Sequence, residues 1–317
     1  MKAIVTGGAG FLGSHLSDKL IERGDQVICI DNLLTGSLDN IAHLQNSPNF
    51  EFVQADASEG LPQNLDFDEL YHLASPASPN KNNPKSYMGL PFETMQVNTI
   101  GTWGLCEEAL TRGAKFLFAS TSEIYGDPLE HPQKETYNGN VSAIGPRSVY
   151  DEAKRFGETI VSAFVSYNKL DGKIVRIFNT YGPRMGADGR VVIEFIRAAL
   201  QNKPLPVFGD GTQTRSFTFV DDLIEGLMLA IKRGNRGEVY NLGNPNEFTI
   251  LELAEKVKLL TNSSSEIESV GQLPEDDPTR RCPDIQKAKQ SLGWEPKVEL
   301  EDGLRKLIAY IKTVEKP

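Results

Sequence analysis

Tyr150 and Lys154 stand at positions i and i+4 in SVYDEAKR. On a helix that spacing puts both on one face, with the ammonium within reach of the phenol. An ordinary tyrosine titrates near pH 10, so work as a base at neutral pH needs a drop of about three pH units, roughly 4 kcal/mol, supplied by neighbouring positive charge. Tyr-x-x-x-Lys is a common surface string, and its weight comes from the residues around it. Thr121, Ser122 and Glu123 in ASTSEIYG follow an apolar run. They offer two hydroxyls and a carboxylate at the C-terminal end of a strand, where open α/β sheets bind their ligands.

The other chemical cluster is TGGAGFLGSHL, in which Gly7, Gly10 and Gly13 follow a β-branched run and open an amphipathic segment. Glycines in that context let the backbone turn tightly and approach a pyrophosphate, whose charge meets free N–H groups and the positive end of a helix dipole. Asp31 closes the next strand, where a carboxylate accepts both ribose hydroxyls and repels a 2′-phosphate, so the pattern predicts NAD rather than NADP. The charge of a bound nicotinamide, with Lys154, is then expected to lower Tyr150. Asp56, after the third strand, reads either as a partner for the adenine amine or as an exposed loop acid.

These residues need a scaffold. Short β-branched or apolar runs at 3–6, 26–30, 50–54, 69–73, 115–119 and 173–177 alternate with helix-period segments. That order predicts a Rossmann-type doubly wound parallel sheet of the α/β class, with long helices at 94–112 and 148–167. After Asn179 glycine and proline become frequent and the elements shorten. The expected division is an NAD-binding domain over 1–179 and a smaller mixed α/β substrate lobe over 180–317, some of whose strands and helices cross back. Residues 261–266 read as a polar loop.

Composition narrows the classes of function. A chain of 317 residues, 39% hydrophobic and 24% charged, can bury a large core without staples. Lys plus Arg number 33 against 43 for Asp plus Glu, a net −10, which argues against nucleic-acid and anionic-membrane binding. An anionic substrate then requires a local arginine cluster, for which Arg190, Arg215 and Arg281 are the candidates. Cys29, Cys106 and Cys282 are too scattered for a disulfide framework or zinc site, and the four histidines lack ligand spacing, so no metal is expected. Cys106 reads as a small buried apolar residue, and Trp103 and Trp294 as packing residues. No run approaches about 20 apolar residues and no leader precedes the glycine loop, which predicts a soluble cytoplasmic protein.

TGGAGFLGSHL, HLASPASP, ASTSEIYGDPLEHPQKETYNGN, IGPRSVYDEAKR, RIFNTYGPRM, GTQTRSFTFVDDL, NLGNP and DDPTRRCPDIQKAKQSLGWEP succeed one another along nearly the whole chain. Their order resembles the extended short-chain dehydrogenase/reductase superfamily and, within it, the UDP-glucuronate decarboxylases (UDP-xylose synthases). The glycine and Tyr-x-x-x-Lys motifs specify only the superfamily. Thr-Ser-Glu before Tyr-Gly, with the HPQ and IGPR segments, is narrower: the 4-epimerases lack the Glu and the 4,6-dehydratases usually carry Thr-Asp-Glu.

The resemblance implies an NAD-dependent carboxy-lyase that converts UDP-glucuronate to UDP-xylose through a 4-keto sugar, with the NADH recycled internally. Tyr150, assisted by Thr121 and Lys154, would take the proton of the sugar 4-hydroxyl; Ser122, Glu123 and Arg281 would lie near the C5 carboxylate. For Glu123 and Arg281 the blander readings are a solvated strand-end acid and a surface salt bridge. Cofactor contacts are implied for Gly7, Gly10, Phe11, Leu12, Gly13, Asp31, Asn32, Asp56, Leu73, Ala74 and Asn98, besides Tyr150 and Lys154. Substrate contacts are implied for Tyr87, Asn179, Arg190, Val191 and Arg215. The two long helices match those that pair across a two-fold axis in relatives, so a homodimer is expected.

The chain also departs from the family pattern. The 80–90 segment NKNNPKSYMGL is longer than the corresponding loop, Asn138 replaces a common Trp, Ser142-Ala143 replaces Asn-Pro, and Cys282 replaces a Lys. The alternatives are a nucleotide-sugar 4-epimerase or 4,6-dehydratase using the same C4 oxidation, and a non-catalytic dinucleotide sensor.

Overall fold

The computed structural model describes residues 1–62, 65–272 and 280–314. Six parallel strands form the N-terminal part of the central sheet: β1 (Lys2–Thr6), β2 (Gln26–Asp31), β3 (Phe50–Gln54), β4 (Glu69–His72), β5 (Lys115–Thr121) and β6 (Asp171–Ile177). Their interiors are apolar on both faces, as a sheet covered on both sides requires. Along β1, Ala3 and Val5 face one core and Ile4 the other; along β5, Leu117 faces the first and Phe116 and Phe118 the second.

The helices are α1 (Phe11–Glu22), α2 (Pro91–Gln96), α3 (Thr102–Arg112), α4 (Ser148–Ala163), α5 (Val191–Leu200), α6 (Val220–Arg233), α7 (Ile250–Thr261), α8 (Gln286–Leu292) and α9 (Leu300–Val314), of which α5, α7 and α9 pack outside the central sheet. The expected helix at 94–112 begins earlier, at Pro91, whose fixed φ suits a first turn. It passes through a π-helical stretch at Val97–Gly101 between α2 and α3. The other long helix ends its last turns in π geometry at Phe164–Asn168.

Seven further strands are β7 (Thr180–Tyr181), β8 (Leu205–Val207), β9 (Thr214–Ser216), β10 (Thr218–Phe219), β11 (Val239–Leu242), β12 (Glu247–Thr249) and β13 (Ile267–Ser269), and an eighth is β14 (Arg280–Arg281). The central sheet runs β11-β6-β5-β4-β1-β2-β3, so the strand at 239–242, outside the six expected from the sequence, joins its edge. The remaining short strands form small sheets, among them β12-β9-β14. In the central sheet the order reverses between β1 and β4, and the C-terminal ends of the strands diverge there into a crevice.

Two expectations about packing divide. Trp294 is buried with its indole N–H donating to the Asp222 carbonyl at 2.8 Å, whereas Trp103 is 51% exposed while edge-packing on Phe164. A helix face turned to solvent, rather than the core, holds Trp103. All three cysteines are buried and free. Among the described residues no helix is long and apolar enough to cross a membrane. Nor do these residues contain a group of three or more His, Cys, Asp or Glu side chains placed to hold a metal ion. The 276–279 part of the last sequence motif lies outside the described residues.

Candidate active site

The crevice at the switch point is a cleft of about 470 Å³. Gly7, Gly10, Phe11, Leu12, Gly13, Asp31, Asn32, Asp56, Leu73, Ala74 and Arg190 line it. Gly7 has φ +71°, and a side chain there would meet the Ala74 backbone at 2.8 Å, so glycine lets the loops after β1 and β4 close on each other. A side chain on Gly13 would press on the Gly7 carbonyl oxygen and lie 2.6 Å from the Gly8 Cα. The close packing of the glycine loop on the first turn of α1 is what a pyrophosphate resting on helix N-terminal amides requires.

Asp31 is buried at the end of β2. It accepts hydrogen bonds from the amides of Ala9 (3.0 Å) and Leu33 (2.8 Å). Burial raises its pKa and those two amides lower it in part. Asp56 accepts from Asn32 Nδ2 at 2.9 Å and from the Ser58 amide at 2.8 Å, which fixes its carboxylate at the cleft wall. Asn98, expected as a cofactor contact, is fully buried behind Ser75 of that wall. Its amide donates to Ser75 Oγ and the Thr94 carbonyl, both at 2.8 Å, from within the π-helical stretch.

Tyr150 and Lys154 share one face of α4, beside the end of β5. Lys154 Nζ donates to the Ala119 carbonyl at 2.6 Å and stands 5.8 Å from the Tyr150 ring centroid. Burial lowers its pKa to about 7, against an upward pull from Glu158. Tyr150 is also buried; burial and then the Glu123 charge hold its phenol above the ordinary value, although a hydrogen bond with Thr121 and the charge of Arg190 work the other way. In the protein's own electrostatic balance, which does not include the charge of a nicotinamide, burial and Glu123 keep the proton on the phenol while Lys154 donates to a main-chain carbonyl.

Ser122 opens a short 3₁₀ turn, Ser122–Tyr125, and is buried. Thr121 Oγ1 caps that turn by accepting from the Glu123 amide at 3.2 Å. Glu123 sits between Arg281 Nη1 at 3.4 Å and Arg147 Nη1 at 3.7 Å, with the Tyr87 hydroxyl 3.3 Å away. Burial opposes the Glu123 anion, but Arg147, Arg281 and hydrogen bonds from Asp151 and Tyr87 outweigh it and hold the carboxyl below the ordinary range. Tyr87, on the long 80–90 segment, is fully buried and stacks on Tyr150 with ring centroids 4.7 Å apart.

The three candidate arginines come from two parts of the fold. Arg190 is tied to Asp188 (2.9 Å from Nε to Oδ1) at the mouth of the dinucleotide cleft, and Val191 follows it as the first residue of α5. Arg215 and Arg281 are neighbours across the parallel β9–β14 pairing and both are buried. Asn179 is partly buried, its carbonyl accepting from the Thr218 amide at 2.9 Å. Arg147 and Asp151 were missed by sequence reasoning; their i, i+4 opposite charges, one register away from Tyr150 and Lys154, were the available signal.

A family profile described as GDP-mannose 4,6 dehydratase matches residues 4–307. The chain is 50% identical over 310 residues to UDP-glucuronic acid decarboxylase 1 of Arabidopsis thaliana, covering 98% of this chain and 69% of that protein. The chain belongs to the UDP-glucuronic acid decarboxylase family. Solved relatives share the fold: UDP-glucose 4-epimerase of Thermotoga maritima, with UDP-glucose, superposes with a TM-score of 0.88 at 32% identity, covering 99% of this chain and all of that one. UDP-glucuronic acid 4-epimerase of Bacillus cereus, in complex with UDP-glucuronic acid and NAD, gives 0.86 at 31%, with 99% and 100% covered. Family membership thus joins the decarboxylase sequence pattern to a scaffold it shares with nucleotide-sugar 4-epimerases.

Proposed function

We propose that the chain decarboxylates UDP-glucuronate to UDP-xylose with NAD as cofactor. The observation that carries this reading is Glu123 between Arg147 and Arg281, within the electrostatic reach of Tyr150. Epimerisation at C4 needs a group to move the 4-hydroxyl proton but none to protonate C5. A carboxyl–guanidinium cluster beside the base supplies the second task.

The glycine loop, bare helix N-terminus and Asp31 fit a dinucleotide with an unphosphorylated ribose; Phe11, Leu12, Asn32, Asp56, Leu73 and Ala74 would complete its walls. NAD bound there supplies reversible hydride acceptance from the sugar C4. Tyr150 takes the 4-hydroxyl proton, its ionised form favoured by Thr121, by Arg190 and by the positive charge that a bound nicotinamide would add, and Lys154 holds the ribose side of the site. The resulting ketone lies β to the C5 carboxylate, so the C5–carboxylate bond breaks with its electron pair drawn into a C4 enolate that Tyr150 and Thr121 stabilise. A proton taken up by Glu123 passes to C5, and Tyr150 returns its proton to the C4 oxygen. Ser122 and Arg281 orient the departing carboxylate, while Tyr87, Asn179, Arg190, Val191 and Arg215 hold the sugar and diphosphate.

We further read residues 1–179 as the NAD-binding domain and 180–317 as the substrate lobe, with β11 and α6 returned to the central sheet. A homodimer in the cytoplasm completes the proposal. Exposed Phe92, Ile100, Trp103 and Phe156 give the α2–α4 face the apolar surface that helix pairing across a two-fold axis needs.

The experiment is incubation of the enzyme with UDP-glucuronate and NAD, followed by mass spectrometry. Release of carbon dioxide with formation of a UDP-pentose supports the reading. A C4-inverted product that retains its carboxylate replaces it with the epimerase.

A further inference from the structure

A second cavity, of about 230 Å³, shares no lining residue with the dinucleotide cleft. Asp127, Asn140 and Ser142 are its exposed lining; Arg147 and Asp151 are its buried lining. Asp151 is only 5% exposed, and its Oδ1 is buried without a hydrogen-bond partner. Its carboxyl nevertheless lies within hydrogen-bonding reach of Glu123. Two carboxyls in contact cannot both be anions, so one of them carries a proton.

The surroundings decide which. Glu123 has Arg281 at 3.4 Å, Arg147 at 3.7 Å and the Tyr87 hydroxyl at 3.3 Å. The groups facing Asp151 are Glu123 from the turn after β5, Arg281 from β14 and Arg147 from the segment before α4, while Tyr87 and Tyr150 feel its charge. Burial and the Glu123 anion raise Asp151 far above the carboxylate range, against the pull of both arginines. Asp151 is the acid of the pair and Glu123 the anion.

We propose that Asp151 is the proton relay that recharges Glu123 during C5 protonation, refilled from water in the second cavity. The inference rests on the decarboxylase reading above. In the step, the Asp151 O–H bond breaks as a Glu123 O–H bond forms. That Glu123 O–H bond then breaks as C5–H forms, with the enolate electron pair becoming the new C–H bond. Asp151 is left anionic and takes a proton from solvent; nothing is oxidised or reduced. Asp151 acts through Glu123 and is a positioning residue for it.

The test pairs infrared difference spectroscopy of the unliganded protein with turnover. Wild-type protein at neutral pH is expected to show a carboxylic-acid C=O band that Asp151→Asn removes and Tyr150→Phe keeps. Asp151→Asn should slow carbon dioxide release by roughly 10²-fold at unchanged KM, and Asp151→Glu should recover most of the rate. If Asp151→Asn fails to fold, the wild-type band and its pH titration decide alone. Normal carbon dioxide release without the acid band, or Asp151→Asn at the wild-type rate, overturns the relay while leaving the decarboxylase reading intact. Wild-type enzyme that releases no carbon dioxide overturns both.

Discussion

Tyr87 lies flat on Tyr150, with ring planes 5° from parallel and centroids 4.7 Å apart, while its hydroxyl donates toward Glu123 Oε2 at 3.3 Å. One side chain from the long loop thus covers the proposed base and braces the proposed acid. Tyr87→Phe keeps the stack and loses the hydrogen bond, for a cost of about 1 kcal/mol. Tyr87→Ala empties a fully buried site and should cost about 3–5 kcal/mol. Urea denaturation of both variants measures the two terms; equal losses would show that the stack contributes nothing.

Tyr150→Phe removes one oxygen from a buried ring and leaves the glycine loop untouched. Turnover is expected to fall by roughly 10²–10⁴-fold, the range for loss of a proton-transfer group. Calorimetric titration should give unchanged NAD affinity. Turnover at the wild-type rate would remove the base assignment.

Two glycines of one motif should behave differently. A Cβ on Gly10 meets only the Gly7 carbonyl, at 3.1 Å, whereas one on Gly13 collides with the Gly7 carbonyl and approaches the Gly8 Cα to 2.6 Å. Gly10→Ala should fold with modestly weaker NAD binding. Gly13→Ala must push the glycine loop away from α1 and lose the anion site, so calorimetry should detect no NAD binding. Equal affinities in the two variants would contradict the geometry.

The parallel sheet and the glycine loop were legible because each rests on local pattern: β-branched runs of strand length, and glycines between a strand and a helix. The β11 strand was not, because Val239–Leu242 is short and pairs with β6, far away in sequence. The burial of Asn98 was not legible for a related reason: it lies in a π-helical stretch, and no residue type announces one. Tyr150 and Lys154 were found by spacing, but their energetics depended on the Ala119 carbonyl and on Glu123, both supplied by β5 and its following turn. Arg147 and Asp151 carry charges that usually mark a solvated helix face, and only the approach of Glu123 and Arg281 from other elements buries them.

Lys154 offers a test of burial that needs no substrate. Its pKa in the folded protein falls to about 7 from the ordinary 10.5, chiefly through burial. Between those values the unfolded chain binds a proton that the folded protein does not. The folded state is therefore penalised by its full amount below about pH 7, and the penalty fades as pH rises toward 10.5. Relative to Lys154→Met, which has no such proton, wild-type protein should gain on the order of 4 kcal/mol across that window. Denaturant midpoints of the two proteins, measured at several pH values from neutral to alkaline, report the difference. A difference that stays flat would mean that Lys154 keeps its charge inside the fold, and that the Ala119 carbonyl and Glu158 compensate fully for the lost water.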